Sequence, residues 1–239
     1  MGVQTLCVGL VLETKGSVLR LQLDRPDGNL ISRDMCRALS DLLTHPPAGA
    51  HILVLSGAGE SFCLGRERKA SSPQELTGEV ADLIGLNQAL TATSLVTVAQ
   101  VNGSAAGFGV GLASLCDVAI TIPAARFSFP EVTIGLAPTI VLAWLQKAVG
   151  RRRAFELTAT GKQISGNEML QLGLINDVVD SVDKLEQTVA DVVADLSRRS
   201  PRVHCEIKSM LRDSEDMSLD QAYALSSGRL ILGSMLKEH

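Results

Sequence analysis

Short apolar segments alternate with amphipathic helical patterns through the first half of the chain, and this order constrains the fold most. His51–Gly57 and Leu95–Asn102 are largely apolar, which is typical of strands buried on both faces. Between them, leucine and valine recur at helical spacing from Pro73 to Ala92. Strands that alternate with helices in this way predict an α/β fold.

The start of the chain predicts a β-hairpin followed by a helix. Val8–Thr14 and Ser17–Leu23 flank Lys15-Gly16, a pair of residues that is typical of a turn. Ser32 is a preferred residue for the first position before a helix, and the apolar spacing then predicts a helix through about Leu43.

After Pro138 the composition favours helices, so we predict two regions. Residues 1–180 form the core with the active site, and residues 181–239 form a C-terminal helical region used in packing and oligomerisation. We expect a small domain to leave one helical face of the later region uncovered, which would mark a subunit interface. Four residues define that face: Val189, Val192, Val193 and Leu196.

Composition and charge exclude several classes of protein. Of 239 residues, 46% are hydrophobic and 20% charged, and a net charge of −4 does not suit intrinsic disorder or a nucleic-acid binder. The longest apolar stretches, Ala105–Cys116 and Thr133–Leu145, are shorter than the roughly 20 residues that span a bilayer. We therefore expect neither nucleic acid nor membrane as a partner.

The cysteines and histidines indicate neither disulfides nor a metal site. The odd number of cysteines and the lack of any CxxC pair predict reduced thiols and a cytoplasmic location. No histidine stands at ligand spacing from a cysteine, so we expect no bound metal. The cysteines are Cys7, Cys36, Cys63, Cys116 and Cys205.

Two junctions between a strand and a loop are candidates for a site. Ser61–Lys69 follows the first buried strand, and Val101–Gly109 spans the end of the second. Such junctions expose backbone N–H groups that helices and strands do not use. Two of these groups converging on one point would form an oxyanion hole, although each junction alone also fits a tight turn.

A set of motifs in this order resembles the crotonase (enoyl-CoA hydratase/isomerase) superfamily. The resemblance implies a crotonase-like spiral of repeated ββα units, a C-terminal helical region, and a homotrimer or a dimer of trimers. It also implies an acyl-CoA or acyl-carrier thioester as the ligand, with coenzyme A as part of the substrate and no separate cofactor. The motifs are Leu23–Pro26, Val54–Gly65, Val101–Asp117, Ala125–Pro138 and Val149–Val179.

The resemblance also assigns roles to individual residues. The backbone amides of Arg66 and Phe108 match the two oxyanion donors, and Glu131 matches a catalytic glutamate in a Pro-Glu pair. The basic residues near the first junction and Arg25 could contact the phosphates of CoA, or could form only a solvated charged turn. Further residues are assigned with them to binding of the substrate or CoA. Together these are Arg25, Arg66, Glu67, Arg68, Lys69, Gly107 and Thr139.

The chain departs from the family pattern at Gly111, where hydratases carry their first glutamate. Because Gly111 lies one helical turn beyond Phe108, we expect it to face the substrate and to leave Glu131 as the sole acid/base. The first hypothesis is therefore a lyase or isomerase of fatty acid metabolism that acts through an enolate, by isomerisation, atypical hydration or decarboxylation. The alternative is a non-catalytic subunit that binds CoA thioesters or serves in assembly.

Overall fold

The computed structural model describes residues 2–236, which form two compact units that meet in sequence between Arg198 and Arg199. Within these residues, no helix is long and apolar enough to cross a membrane. The strands are β1 (Gly2–Cys7), β2 (Leu10–Lys15), β3 (Val18–Leu23), β4 (Ile52–Gly57), β5 (Ser61–Cys63), β6 (Val96–Val101), β7 (Ser104–Ala106), β8 (Val118–Thr121), β9 (Arg126–Ser128), β10 (Ile164–Ser165) and β11 (Asp177–Val178). The helices are α1 (Arg33–Thr44), α2 (Pro73–Ala92), α3 (Phe108–Ser114), α4 (Thr139–Thr160), α5 (Gly166–Gln171), α6 (Val182–Ser197), α7 (Pro201–Ser214) and α8 (Leu219–Met235).

The first unit contains a large and a small sheet. The large sheet has the order β1-β2-β3-β4-β6-β8-β11, with antiparallel pairs from β1 to β3 and parallel pairs beyond. The small sheet has the order β10-β9-β7-β5, in which β5, β7 and β9 are parallel. The hydrophobic core is built almost entirely from aliphatic side chains of these strands and the helices that cover them.

Three successive ββα units connect the two sheets. In each, the first strand (β4, β6 or β8) joins the large sheet, and the second (β5, β7 or β9) joins the small one before a helix follows. The helix is α2, α3 or α4, the last reached through a short 3-10 segment at Pro130–Ile134. This arrangement confirms the predicted crotonase-like spiral of repeated ββα units.

The predicted starts of two helices and the predicted hairpin are confirmed. The side chain of Ser32 accepts a hydrogen bond from the amide of Met35 and caps α1. Helix α2 begins at Pro73, and the side chain of Ser72 accepts from the amide of Glu75. These caps satisfy amides that have no partner within the helix. The predicted hairpin around Gly16 is also present, as β2 and β3.

The structure contains a strand that the sequence pattern did not predict. The predicted first strand, Val8–Thr14, crosses Gly9, which has a φ of +88° and lies in the turn between β1 and β2. A Cβ atom at Gly9 would lie 2.5 Å from Cγ of Arg25, so the turn also needs a residue without a side chain. The chain therefore opens with β1 before the predicted hairpin.

The predicted interface on α6 is wrong. Val189 and Val193 are fully or almost fully buried, and Val192 and Leu196 pack against the same core within the first unit. Because α6 contacts β4, β6 and β8, the large sheet covers this face without any second subunit. Most of the exposed apolar side chains of the C-terminal region lie on α7 and α8 instead.

Candidate active site

Three adjacent parallel strands of the small sheet end at the same edge. The register pairs Cys63 of β5 with Ala105 of β7, and Ala106 of β7 with Ser128 of β9. Arg66, Phe108 and Glu131 each follow the end of one of these strands by two or three residues. Because the strands run in the same direction, the topology brings the three predicted site residues to one place.

The amide of Arg66 is directed away from the backbone segment at Ile31 that forms a bridge with it. In the bridge between Ile31 and Arg66, the amide of Ile31 donates to Gly65 at 2.9 Å, and the amide of Glu67 donates to Ile31 at 2.8 Å. The N–H of Arg66, between these two bonds, therefore faces the other side. Within residues 2–236 it has no hydrogen-bond acceptor.

The amide of Phe108 belongs to the first residue of α3, so no carbonyl of the helix can accept from it. The loops that carry Phe108 and Arg66 come close together, since a Cβ atom at Gly65 would lie 3.4 Å from the carbonyl oxygen of Ala106. Gly65 itself has a φ of +120°, which only glycine adopts readily. Among residues 2–236 neither amide has an acceptor, and two such amides on neighbouring loops are the arrangement that an oxyanion hole needs.

Gly107 allows Glu131 to approach the start of α3. Its φ is +52°, and a Cβ atom there would lie 2.5 Å from Oε1 of Glu131. Any larger residue at position 107 would therefore displace the carboxylate as well as strain the backbone. This contact gives Gly107 a steric role toward Glu131, while its contact with the substrate stays a prediction.

A cavity of about 730 Å³ opens beside the two loops and Glu131. Apolar side chains from α2 and the start of α4 form one part of its wall, and charged residues of the loop after β5 form another. Eight of the predicted site residues line it: Arg66, Glu67, Arg68, Lys69, Gly107, Phe108, Glu131 and Thr139. Arg25 is absent from the lining but contacts Glu67.

Glu131 is a partly buried carboxylate without an ion pair among the described residues. Burial raises the pKa of Glu131 above its ordinary value, against the lowering effects of its own backbone amide, Arg68 and Arg66. Its Oε2 atom is buried and has no hydrogen-bond partner within residues 2–236. A carboxylate with an unused oxygen and a raised pKa is well suited to accept and return a proton.

Glu67 is the other carboxylate that lines the cavity, and it is held in ion pairs. Arg25 donates to it at 2.7 Å, and Lys69 lies 2.9 Å away. Burial raises the pKa of Glu67, but the hydrogen bonds from Lys69 and Arg25 outweigh this effect and leave it below the ordinary value. Arg25 also contacts Asp27 at 2.6 Å. These contacts indicate that Glu67 organises cations rather than transferring protons.

The remaining predicted cations differ in whether a neighbouring residue already binds them. Arg66 donates through Nη1 to Glu79 at 3.0 Å, which holds its guanidinium against α2. Arg68 is exposed, lines the cavity, and forms no ion pair or hydrogen bond with any residue in 2–236. Of the four cations that we predicted as phosphate contacts, Arg68 is therefore the one available to a ligand.

Contrary to the expectation that Gly111 faces the substrate directly, the indole of Trp144 lies against it. Gly111 is buried and does not line the cavity. A Cβ atom there would lie 3.5 Å from Nε1 of Trp144 and 3.6 Å from Cζ2 of the same ring. The indole of Trp144, on α4, therefore occupies the space beside position 111 that a longer side chain would need.

Two residues of this region were missed by sequence analysis. Glu79 lies on α2 next to apolar positions, and its partners on the loop after β5 are not recognisable from spacing. Trp144 meets Gly111 across two helices that are distant in sequence. The single tryptophan of the chain was a signal that could have been followed, but its neighbour depends on the fold.

Comparison with known proteins identifies the family. The family model described as enoyl-CoA hydratase/isomerase matches residues 13–230. The chain is 30% identical over 213 residues to enoyl-CoA hydratase ACTT6 of Alternaria alternata, covering 88% of this chain and 71% of the relative. It is 28% identical over 229 residues to the peroxisomal Δ(3,5)-Δ(2,4)-dienoyl-CoA isomerase of Arabidopsis thaliana, covering 87% and 82% of the two chains.

Solved structures agree with this assignment. A protein of Thermobifida fusca, solved in complex with CoA, superposes with a TM-score of 0.87 at 27% identity. The match covers 96% of this chain and 95% of the other. The fold, the family model and the identity with ACTT6 confirm the resemblance of the motifs, and the chain belongs to the enoyl-CoA hydratase/isomerase family of enzymes, within the crotonase superfamily.

Proposed function

We propose that this enzyme moves the double bond of an enoyl-CoA thioester through an enolate, with Glu131 as its single acid/base. The observation that carries the proposal is the buried Oε2 of Glu131, which has no hydrogen-bond partner among residues 2–236, beside a cavity that Arg66 and Phe108 also line. Isomerisation is favoured over hydration because Gly111 supplies no second carboxylate to activate water and Trp144 occupies the adjoining space.

The proposed reaction transfers one proton within the substrate. The Glu131 carboxylate takes a proton from the α-carbon of a 3-enoyl thioester, and the electron pair of that C–H bond moves toward the thioester oxygen. The amides of Arg66 and Phe108 donate to the resulting oxyanion. Glu131 then returns the proton to the γ-carbon, which yields the 2-enoyl thioester and restores the carboxylate.

The charged and polar residues that line the cavity support a CoA thioester as the substrate. Arg68 lines the cavity without a partner among residues 2–236 and is suited to an anionic group such as a CoA phosphate, while Thr139 at the start of α4 lines the same cavity. The reaction needs no cofactor apart from the CoA that the substrate carries. The five cysteines are free thiols, which supports a reducing compartment such as the cytoplasm as the proposed location.

A panel of thioesters tests the proposed reaction type. Incubation with crotonyl-, 3-enoyl- and glutaconyl-CoA, followed by mass and chromatographic analysis, distinguishes the three candidate outcomes. We expect the 3-enoyl thioester to give an isomer of unchanged mass. Gain of a water or loss of CO₂ as the main reaction would replace isomerisation by hydration or decarboxylation, and tight binding without turnover would favour the non-catalytic alternative.

We expect the acidic limb of the pH profile to report Glu131. Because the pKa of Glu131 is raised, the fall in kcat/KM toward acidic pH should begin at a higher pH than it would for a glutamate with its ordinary pKa. Arg68 lowers that pKa, so Arg68→Met should move the limb to still higher pH. Parallel profiles measured on the best thioester check this, and a limb that moves to lower pH in Arg68→Met would contradict it.

We propose that the active enzyme is a trimer or a multiple of three. No residue of α7 or α8 is buried. On α8, Leu230, Ile231 and Met235 are 73%, 60% and 77% accessible. Apolar side chains exposed to this extent on one helix indicate an interface. Light scattering at micromolar concentration should give at least three times the chain mass of 25.3 kDa. Leu230→Glu should lower that mass, and a monomeric wild-type protein would refute the proposal.

A further inference from the structure

Glu79 is a buried carboxylate that the proposed reaction does not use. It lies on α2 with only 5% of its surface accessible, on the same helix as the buried apolar residues Leu83, Leu86 and Leu90. Burying a carboxylate costs free energy unless charged or polar partners compensate for the lost water. The partners of Glu79 therefore indicate why it is placed there.

Among the described residues, the three hydrogen-bond partners of Glu79 all belong to the loop after β5. Its Oε2 accepts from Nη1 of Arg66 at 3.0 Å. Its Oε1 accepts from the amides of Lys69 and Ala70 at 3.2 and 2.7 Å. Because this loop has no regular secondary structure of its own, Glu79 replaces the hydrogen bonds that a strand or helix would have provided.

Arg66 is thus held from two directions. On one side, the bridge to Ile31 fixes the backbone through the carbonyl of Gly65 and the amide of Glu67. On the other side, Glu79 binds the Arg66 guanidinium and the backbone amides of Lys69 and Ala70. Together these contacts fix the backbone on both sides of the Arg66 amide.

We infer that Glu79 is a positioning residue that aims the Arg66 amide at the thioester oxygen. The inference rests on the proposed role of that amide in the oxyanion hole. Glu79 does not line the cavity but contacts Arg66, so it would act through Arg66. An oxyanion donor is effective only at hydrogen-bond distance from the developing charge, so a small displacement of this loop weakens it.

Asp82 provides a matched control on the same helix. Its carboxylate accepts from Nε of Arg33 at 2.8 Å and from Nε of Arg37 at 3.1 Å, and so joins α2 to α1. It does not line the cavity and has no contact with the loop after β5 among the described residues. Asp82→Asn therefore removes a comparable charge from α2 without touching Arg66.

Carbonyl infrared spectroscopy of a bound, unreactive thioester separates positioning from folding. Butanoyl-CoA labelled with ¹³C at the thioester carbonyl has no double bond to move, and donors in the oxyanion hole should lower its carbonyl frequency. We expect this shift in the wild type and in Asp82→Asn, and a clearly smaller shift in Glu79→Gln. Glutamine keeps the shape but presents an N–H₂ group or a neutral oxygen to Arg66.

Steady-state kinetics give the second readout. Glu79→Gln should lower kcat by about tenfold to a hundredfold with a smaller change in KM, since the lost interaction strengthens in the transition state. Arg66→Met keeps its backbone amide but loses the same contact, so it should reproduce the loss. The double variant should add little to either single one. Arg66→Met also serves if Glu79→Gln does not fold.

The outcomes distinguish this inference from the proposed function. A wild-type enzyme that leaves the labelled carbonyl unshifted would overturn the oxyanion assignment, and the role of Glu79 with it. A wild-type shift that Glu79→Gln and Arg66→Met both retain in full, with kcat like that of Asp82→Asn, would overturn the positioning role alone. A reduced shift and a reduced kcat in both variants, with Asp82→Asn unaffected, is the result we expect.

Discussion

Replacing Glu131 with glutamine is expected to lower kcat on the best thioester by about 10²-fold or more, with little change in thioester affinity. Glutamine keeps the shape of the side chain beside Gly107 but cannot accept and return a proton. Steady-state rates with the 3-enoyl thioester and a binding isotherm with butanoyl-CoA measure the two effects separately.

Glu156→Gln is the control for this prediction. Glu156 is an exposed glutamate on α4 that pairs with Arg153 and Lys162 and does not line the cavity. Its replacement should leave kcat near the wild-type value. Full turnover by Glu131→Gln would show that another group carries the proton, and Glu67, the other carboxylate at the cavity, would then be the first to examine.

Introducing a carboxylate at position 111 is expected to create hydratase activity only when Trp144 is also removed. A Cβ atom at Gly111 fits at ordinary contact distance from the indole, but the rest of a glutamate side chain must displace the ring. Gly111→Glu combined with Trp144→Ala should therefore raise water addition to crotonyl-CoA by about 10²-fold, the lower range for a positioned acid/base group. Gly111→Glu alone should give much less.

Two controls accompany this pair of substitutions. Trp144→Ala alone opens the space without a carboxylate, and Gly111→Gln with Trp144→Ala fills it without a base. Neither should gain hydratase activity. Because Trp144 is the only tryptophan of the chain, its fluorescence in Gly111→Glu reports directly whether the ring has moved. Equal activity of Gly111→Glu with and without Trp144 would mean that the indole does not limit access.

Local chemistry accounts for the parts of the fold that the sequence predicted well. Helix α2 has Ser72 and Pro73 at its start and buried leucines at helical spacing, and its predicted bounds match the structure. Gly150 has a φ of +75° inside α4, a backbone conformation that favours glycine. Caps, glycines and apolar periodicity act within a few residues, so they can be recognised without the fold.

The parts that were missed depend on contacts that are distant in sequence. The covered face of α6 looks the same in sequence whether a neighbouring subunit or the chain's own large sheet packs on it. Position 111 was expected to face the ligand from helical spacing alone, but Trp144 comes to it from another helix. In the same way, the sequence shows Glu79 only as an isolated charge, because its partners on the loop after β5 contact it only in the folded chain.

A 3-enoyl-CoA thioester deuterated at its α-carbon tests the single-glutamate shuttle most directly. If Glu131 removes the deuteron and returns it before exchange with solvent, a fraction of the 2-enoyl product from one turnover in ordinary water should carry deuterium at the γ-carbon. The buried Oε2 of Glu131 favours such retention, since solvent has limited access to it. A product without any deuterium at the γ-carbon, or a hydrated thioester as the main product, would contradict the account.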